Sequence, residues 1–126
     1  LSHLWRHGPP PALVAMHSFT PVMQGFQRPW HVGVLWNHDP RMAAPLLRRL
    51  RADPALCVGD NEPYSGRNFG YTMNTHAGAA GLPHVELEIR QDQLLDAAGC
   101  ERWAALIGDA LAEVLAEGHI HSIEFF

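Results

Sequence analysis

His31-Val32-Gly33-Val34-Leu35-Trp36, followed after Asn37-His38 by Asp39-Pro40-Arg41-Met42-Ala43-Ala44-Pro45-Leu46-Leu47-Arg48-Arg49-Leu50-Arg51, decides the fold class. The first run is apolar and strand-sized, the mark of a strand buried on both faces. The second reads as a helix, with Asp39 as N-cap and Pro40 at the first helical position. Met42, Leu46, Leu47 and Leu50 recur at helical spacing, with Arg41, Arg48, Arg49 and Arg51 opposite, and Pro45 bends the helix slightly near its start. Ala55 to Val58 is a further short apolar run, stopped by Gly59-Asp60-Asn61. Strand, helix, strand is the signature of an α/β sheet.

Working outward, Leu1 to His7 reads as the end of a helix broken by Gly8-Pro9-Pro10-Pro11, and Ala12 to Met16 as a buried strand. Ser18 to Pro29 reads as a loop, and Glu62 to Gly70 as a polar Gly/Pro-rich loop. Tyr71 to Ala80 reads as a short helix with Gly81 at its C-cap position. His84 to Arg90 alternates, with Val85, Leu87 and Ile89 on one face and Glu86, Glu88 and Arg90 on the other. Trp103, Leu106, Ile107, Ala110, Leu111, Val114 and Leu115 make the clearest helical stripe, and residues 119–126 form a weak strand or a frayed tail. The expected architecture is a three-layer α/β/α domain with a mostly parallel sheet.

Composition narrows the function. The 126 residues carry a net charge of −4, with 47% hydrophobic and 17% charged residues, which suits one domain with a real core. No apolar run approaches the roughly 18–20 residues of a membrane span. Mild acidity argues against nucleic acid as partner. All nine basic residues are Arg, which with 16 Ala and 10 Pro looks like coding bias. Cys57 and Cys100 read as buried thiols in a reducing, cytoplasmic compartment. The chain opens Leu1-Ser2-His3 without Met, which reads as an N-terminal truncation of a longer chain.

Sites of parallel α/β sheets lie beyond the carboxyl ends of the strands. His17-Ser18, Asn37-His38-Asp39, Asp60-Asn61-Glu62 and Glu88 to Asp92 each follow or end a predicted strand, so all are expected at one sheet edge. His17 at a strand end suits a metal ligand, although a structural histidine is the commoner occupant of such a place. The charges on the 84–90 strand fit either a solvated edge strand or a general base, Glu88, beside a carboxylate-binding Arg90. His119 and His121 offer a chelating pair, but a solvated tail accounts for them. Trp30, Trp36 and Trp103 read as core aromatics.

Several blocks resemble the N-formylglutamate amidohydrolase family: His17-Ser18-Phe19-Thr20-Pro21, Arg28 to Asn37, Val58 to Gly66, Tyr71-Thr72 and Gly81 to Asp92. The resemblance spans about residues 11 to 117 and covers only the C-terminal half of the family's domain. It implies a sheet like that of zinc-dependent exopeptidases, with a phosphorylase/hydrolase-like fold. It also implies hydrolysis of a linear amide, N-formyl-L-glutamate to formate and L-glutamate in histidine breakdown, or of another N-acyl amino acid. By motif His17 corresponds to a metal ligand, Glu88 to the base, and Asn61, Tyr64, Arg67 and Arg90 to substrate-holding positions. The implied cofactor is Zn2+, and the partner a small dicarboxylate substrate. Only His17 is convincing as a ligand, with Asp60 and His76 as weak stand-ins, so the chain alone is expected to hold zinc weakly and turn over poorly. The alternatives are a non-catalytic dicarboxylate- or partner-binding half-domain, and a structural half that self-associates through an exposed sheet edge.

Overall fold

A computed structural model describes residues 8–65 and 77–126. In chain order the elements are β1 (Leu13–Phe19), β2 (Val22–Met23), β3 (Phe26–Gln27), β4 (Val32–Leu35), α1 (Ala43–Arg51), β5 (Val58–Asp60), β6 (His84–Arg90) and α2 (Ala97–Leu115). Short 3-10 turns at Gln91–Leu94 and Gly118–Ile120 flank α2. The expected α/β class with a mostly parallel sheet is what the chain forms. The predicted helix over residues 1–7, the bulk of the one over 71–80, and Arg67 and His76 lie outside the described residues.

The main sheet runs β1-β6-β4-β5. The β1–β6 and β4–β5 pairs are parallel, while β4 and β6, which join them, are antiparallel. This corrects the expectation that all the strand ends share one edge. The carboxyl ends of β1 and β6 lie at one edge of the sheet, and those of β4 and β5 at the other. Asn37-His38-Asp39 therefore lies beside the start of β6, where its pocket neighbours include His84 and Glu124, far from Arg90. Local sequence encodes strand and helix, but not the direction in which a late strand inserts.

One face of the sheet makes the core. Val32 and Val34 of β4 and Val85, Leu87 and Ile89 of β6 pack against Met42, Leu46 and Leu50 near α1 and Trp103, Ile107, Ala110 and Val114 of α2. Both helices thus lie on the same face, and Arg49 pairs with Glu113 between them at 2.6 Å. α2 begins at Asp96, whose side chain accepts from the Gly99 amide at 2.7 Å, an N-cap bond of the ordinary kind. α1 starts later than predicted, after Met42 and without a side-chain cap. Asp39 accepts from the Arg41 backbone amide and grips its guanidinium at 2.8 Å, both residues being buried. Arg41 is therefore not on a solvated face.

Other expectations shift for physical reasons. β1 continues through Phe19, so His17 sits inside a strand, at the outer rim of the sheet. The predicted loop at 18–29 contains the hairpin β2–β3, turned at Gln24 and Gly25 with φ of 52° and 80°, the primed turn that matches strand twist. β6 is a central strand rather than a solvated edge, and Glu86 and Glu88 on it are buried. Cys57 and Cys100 are free and exposed, not buried. Trp103 is a core residue; Trp36 is partly buried and donates its indole N–H to Asp60. Gly81 has φ 73° and closes a Schellman pair, its amide bonding Gly78 and that of Leu82 bonding Ala77, as its C-cap role requires. The tail neither frays nor forms a strand: Ile120 is buried, Glu124 donates its amide to the Gly81 carbonyl, and Arg41 bonds the Ser122 carbonyl at 2.6 Å.

Candidate functional site

β6 presents Glu86 and Glu88 on the face turned away from the helices, because alternate residues of a strand point to opposite faces. Each is only 4% exposed. His17 pairs with Glu88 across the parallel β1–β6 ladder and so projects to the same face. Its Nδ1 lies 3.1 Å from Glu86 Oε1 and 3.6 Å from Glu88 Oε1. The imidazole is 58% exposed, so the cluster has two buried acids and one open side.

On the other flank, Gly33 of β4 is the register partner of Glu88. A Cβ there would collide with the Glu62 carbonyl, and one on Gly59 would meet the same carbonyl. The loop after β5 folds back over both glycines for that reason, roofing this face of the sheet. Asn61 turns the chain at φ 57°, a conformation asparagine tolerates. Its Oδ1 accepts from the Trp36 amide at 2.8 Å.

Burial, then the charge of Glu86, pushes the Glu88 carboxyl up to about 7, while His17 and Arg28 pull the other way. Burial likewise raises Glu86 against the opposing pull of His17. Both Glu86 Oε2 and Glu88 Oε2 are buried without a hydrogen-bond partner among the described residues. An orphaned buried carboxylate oxygen is costly, on the order of 1–3 kcal/mol or more. The three donor atoms lie within 4.8 Å of one another, a set of one imidazole nitrogen and two carboxylate oxygens that could hold a metal ion. That chemistry suits a divalent ion such as zinc.

The sequence-predicted residues divide. His17 and Glu88 come together as expected. Tyr64 lies over the same face, its ring centroid 5.1 Å from the Arg28 guanidinium. Arg90 is spent on structure: Nε bonds Asp92 at 2.6 Å, and Nη1 bonds the Arg28 and Trp30 carbonyls. That bond with Arg90 also holds the Asp92 carboxyl below its usual range. Asp60, a weak stand-in ligand, accepts from the Trp36 indole and stands outside the cluster. Sequence reading missed Glu86 as the partner of His17, although its place two residues before Glu88 on one strand face was the available signal. It also missed Arg28, for which no spacing speaks.

Comparison with known proteins adds the family. The family model described as N-formylglutamate amidohydrolase matches residues 1–95. A solved structure, the gene product Atu2144 from Agrobacterium tumefaciens, is 28% identical with a TM-score of 0.86. That match covers 91% of this chain and 46% of the other, so the chain spans about half the length of the structure it resembles. No curated protein matches the chain.

Proposed function

Since the chain belongs to the N-formylglutamate amidohydrolase family, we propose that it carries the metal-holding, proton-moving part of a hydrolase for the amide bond of an N-acyl amino acid. The substrate best suited is N-formyl-L-glutamate, cleaved to formate and L-glutamate. The supporting observation is the His17–Glu86–Glu88 cluster with its two orphaned buried oxygens.

His17 and Glu86, the closer pair, would hold a zinc ion. Zinc supplies Lewis acidity, which makes water a competent nucleophile near neutral pH. Glu88 stands beside that pair and takes the proton from the attacking water at a carboxylate oxygen. It returns the proton to the leaving nitrogen, so the amine departs neutral and the carboxylate is restored. The Glu62–Tyr64 loop roofs the site and limits water. Asn61, Tyr64 and Arg67 are proposed to border the substrate, while Arg90, bonded to Asp92 and to the Arg28 carbonyl, braces the sheet beside it. Such a protein would act in a reducing compartment, the cytoplasm; among the described residues no helix is long and apolar enough to cross a membrane.

The test is metal content after dialysis, together with formate release. The expected result is zinc retained by the natural chain and lost in His17→Ala, with formate release lost alongside. A natural chain that retains no zinc overturns the reading. The second reading is a non-catalytic dicarboxylate-binding half-domain. It predicts dicarboxylate binding that survives chelation, without formate release.

A further inference from the structure

Arg28, just after β3, is a buried cation with no acid of its own. It is 7% exposed, and among the described residues no carboxylate lies within ion-pair distance of its guanidinium. The other buried or half-buried arginines among the described residues differ: Arg41 is paired with Asp39, Arg49 with Glu113 and Arg90 with Asp92. Burying an unpaired charge is costly, so its place needs a cause.

The guanidinium is held rather than loose. Its Cζ lies 5.6 Å from the Phe19 ring centroid and 5.1 Å from that of Tyr64. Aromatic faces repay part of the desolvation, about 0.5–2 kcal/mol for each contact. Nη1 donates to the Thr20 carbonyl at 3.2 Å and to Thr20 Oγ1 at 3.4 Å, and Nη2 to Met23 Sδ at 3.0 Å. An arginine has five N–H donors. The Nε–H and one Nη2–H therefore remain without a partner among the described residues.

Position completes the case. Phe19 lies two residues after His17 on β1, so its ring shares the face of His17 and the two glutamates. Arg28 is also the arginine whose charge is felt at Glu88. Donors left without a partner among the described residues, on a fixed, buried and planar guanidinium, suit the oxygens of a carboxylate.

We propose that Arg28 is the receptor for a free carboxylate of the substrate, so that the site selects acyl amino acids that keep this carboxylate ionised. The inference rests on the amide-hydrolase reading of the neighbouring cluster. It gives Arg28 the recognition role and leaves Arg90 as a strut between β6 and the segment before β4.

The experiment is a 15N NMR titration of the natural chain with L-glutamate and, separately, with its diamide, which has neither carboxylate, following the arginine Nε–H resonances. The Arg28 resonance is assigned by its absence in Arg28→Lys. Saturable movement of the Arg28 signal with L-glutamate and none with the diamide is expected, the Arg90 signal staying still. Arg28→Gln should weaken L-glutamate binding at least about tenfold, the scale of one lost charge-assisted bond, with zinc content unchanged. Arg28→Lys should recover part of it. Movement at Arg90 instead of Arg28, equal binding of the diamide, or no L-glutamate binding overturns the proposal. Running the titration with and without chelator separates the two readings. Carboxylate binding at Arg28 without any zinc retention sinks the hydrolase and keeps the receptor, and zinc retention with a silent Arg28 does the reverse.

Discussion

Gly33 stands directly opposite Glu88 in the antiparallel β4–β6 ladder, and the space a side chain would fill at Gly33 is taken by the Glu62 carbonyl. The roof over the buried acids is therefore set by a missing methyl group. Gly33→Ala pushes backbone against backbone, which cannot relax as a side chain tip would. A loss of about 1–3 kcal/mol is expected, the range of overpacked sites, read as a lower urea midpoint. Gly108→Ala, where a Cβ meets nothing within 4 Å, is the control and should not destabilise.

Arg41 ties three segments together. It holds Asp39, donates to the Gly81 carbonyl at 2.9 Å, and anchors the tail through the Ser122 carbonyl and Glu124. Arg41→Met takes the guanidinium from buried Asp39 and leaves it only one side-chain partner among the described residues, His84 Nδ1, 3.8 Å away, so a loss of about 3–5 kcal/mol is expected. Hydrogen exchange should show residues 120–124 losing protection first. A tail that stays protected in Arg41→Met contradicts this.

Glu88 gives stability a pH slope. Its carboxyl rises from 4.5 when unfolded to about 7 when folded. Between those values the folded chain binds more protons than the unfolded one, so stability falls as pH rises. In chelator the chain should be less stable at pH 8 than at pH 5, by on the order of 3 kcal/mol from this group. Glu88→Gln should reduce that slope without abolishing it, because the raised Glu86 carboxyl acts in the same direction, and bound zinc, which requires an ionised carboxylate, should reverse it. Unfolding curves at the two pH values check all three. His31, whose pKa is lowered mainly by burial, works in the opposite direction, so the variant comparison carries the result.

The same residue separates proton transfer from metal binding. Glu88→Gln should keep zinc and lose formate release by about 100-fold or more, the scale of a missing general base. Steady-state rates beside metal analysis settle it. Loss of zinc in Glu88→Gln moves Glu88 into the ligand set, and undiminished turnover removes it from the reaction.

β1 is an edge strand, and among the described residues no strand pairs with its outer side. Beside it, exposed Met16 lines an apolar groove with Ile89, Leu94, Trp103, Ile107 and Leu111. Such an edge is a template for pairing. The chain is expected to self-associate with rising concentration, and Met16→Lys to reduce this in sedimentation velocity. A monomer at every concentration refutes it.

Much of this was legible in the residues, for reasons that differ by element. The 84–90 strand announced itself because strict alternation survives even where both faces end up covered. The α2 stripe did so because seven apolar residues share one helical face. Sheet direction did not, since nothing within His31 to Trp36 says whether β6 will run with it or against it. Asp39 looked like a cap because capping and pairing use the same carboxylate. His17 and Glu88 could be named from motif and strand position. Glu86 needed the β1–β6 register to bring it to His17, and Arg28 needed the stacking of Phe19 and Tyr64, which lie far apart in sequence.

The placement of β6 between β1 and β4 has a kinetic consequence. The last strand of the sheet to emerge is the one its neighbours pair with, so β1 must wait for a partner far along the chain. Long-range pairing of this kind slows folding, because loop closure comes before the contacts that reward it. His17 belongs to the waiting strand, and both glutamates to the arriving one. The cluster therefore cannot exist in any partly folded chain that lacks β6, and its assembly marks the moment the sheet is finished.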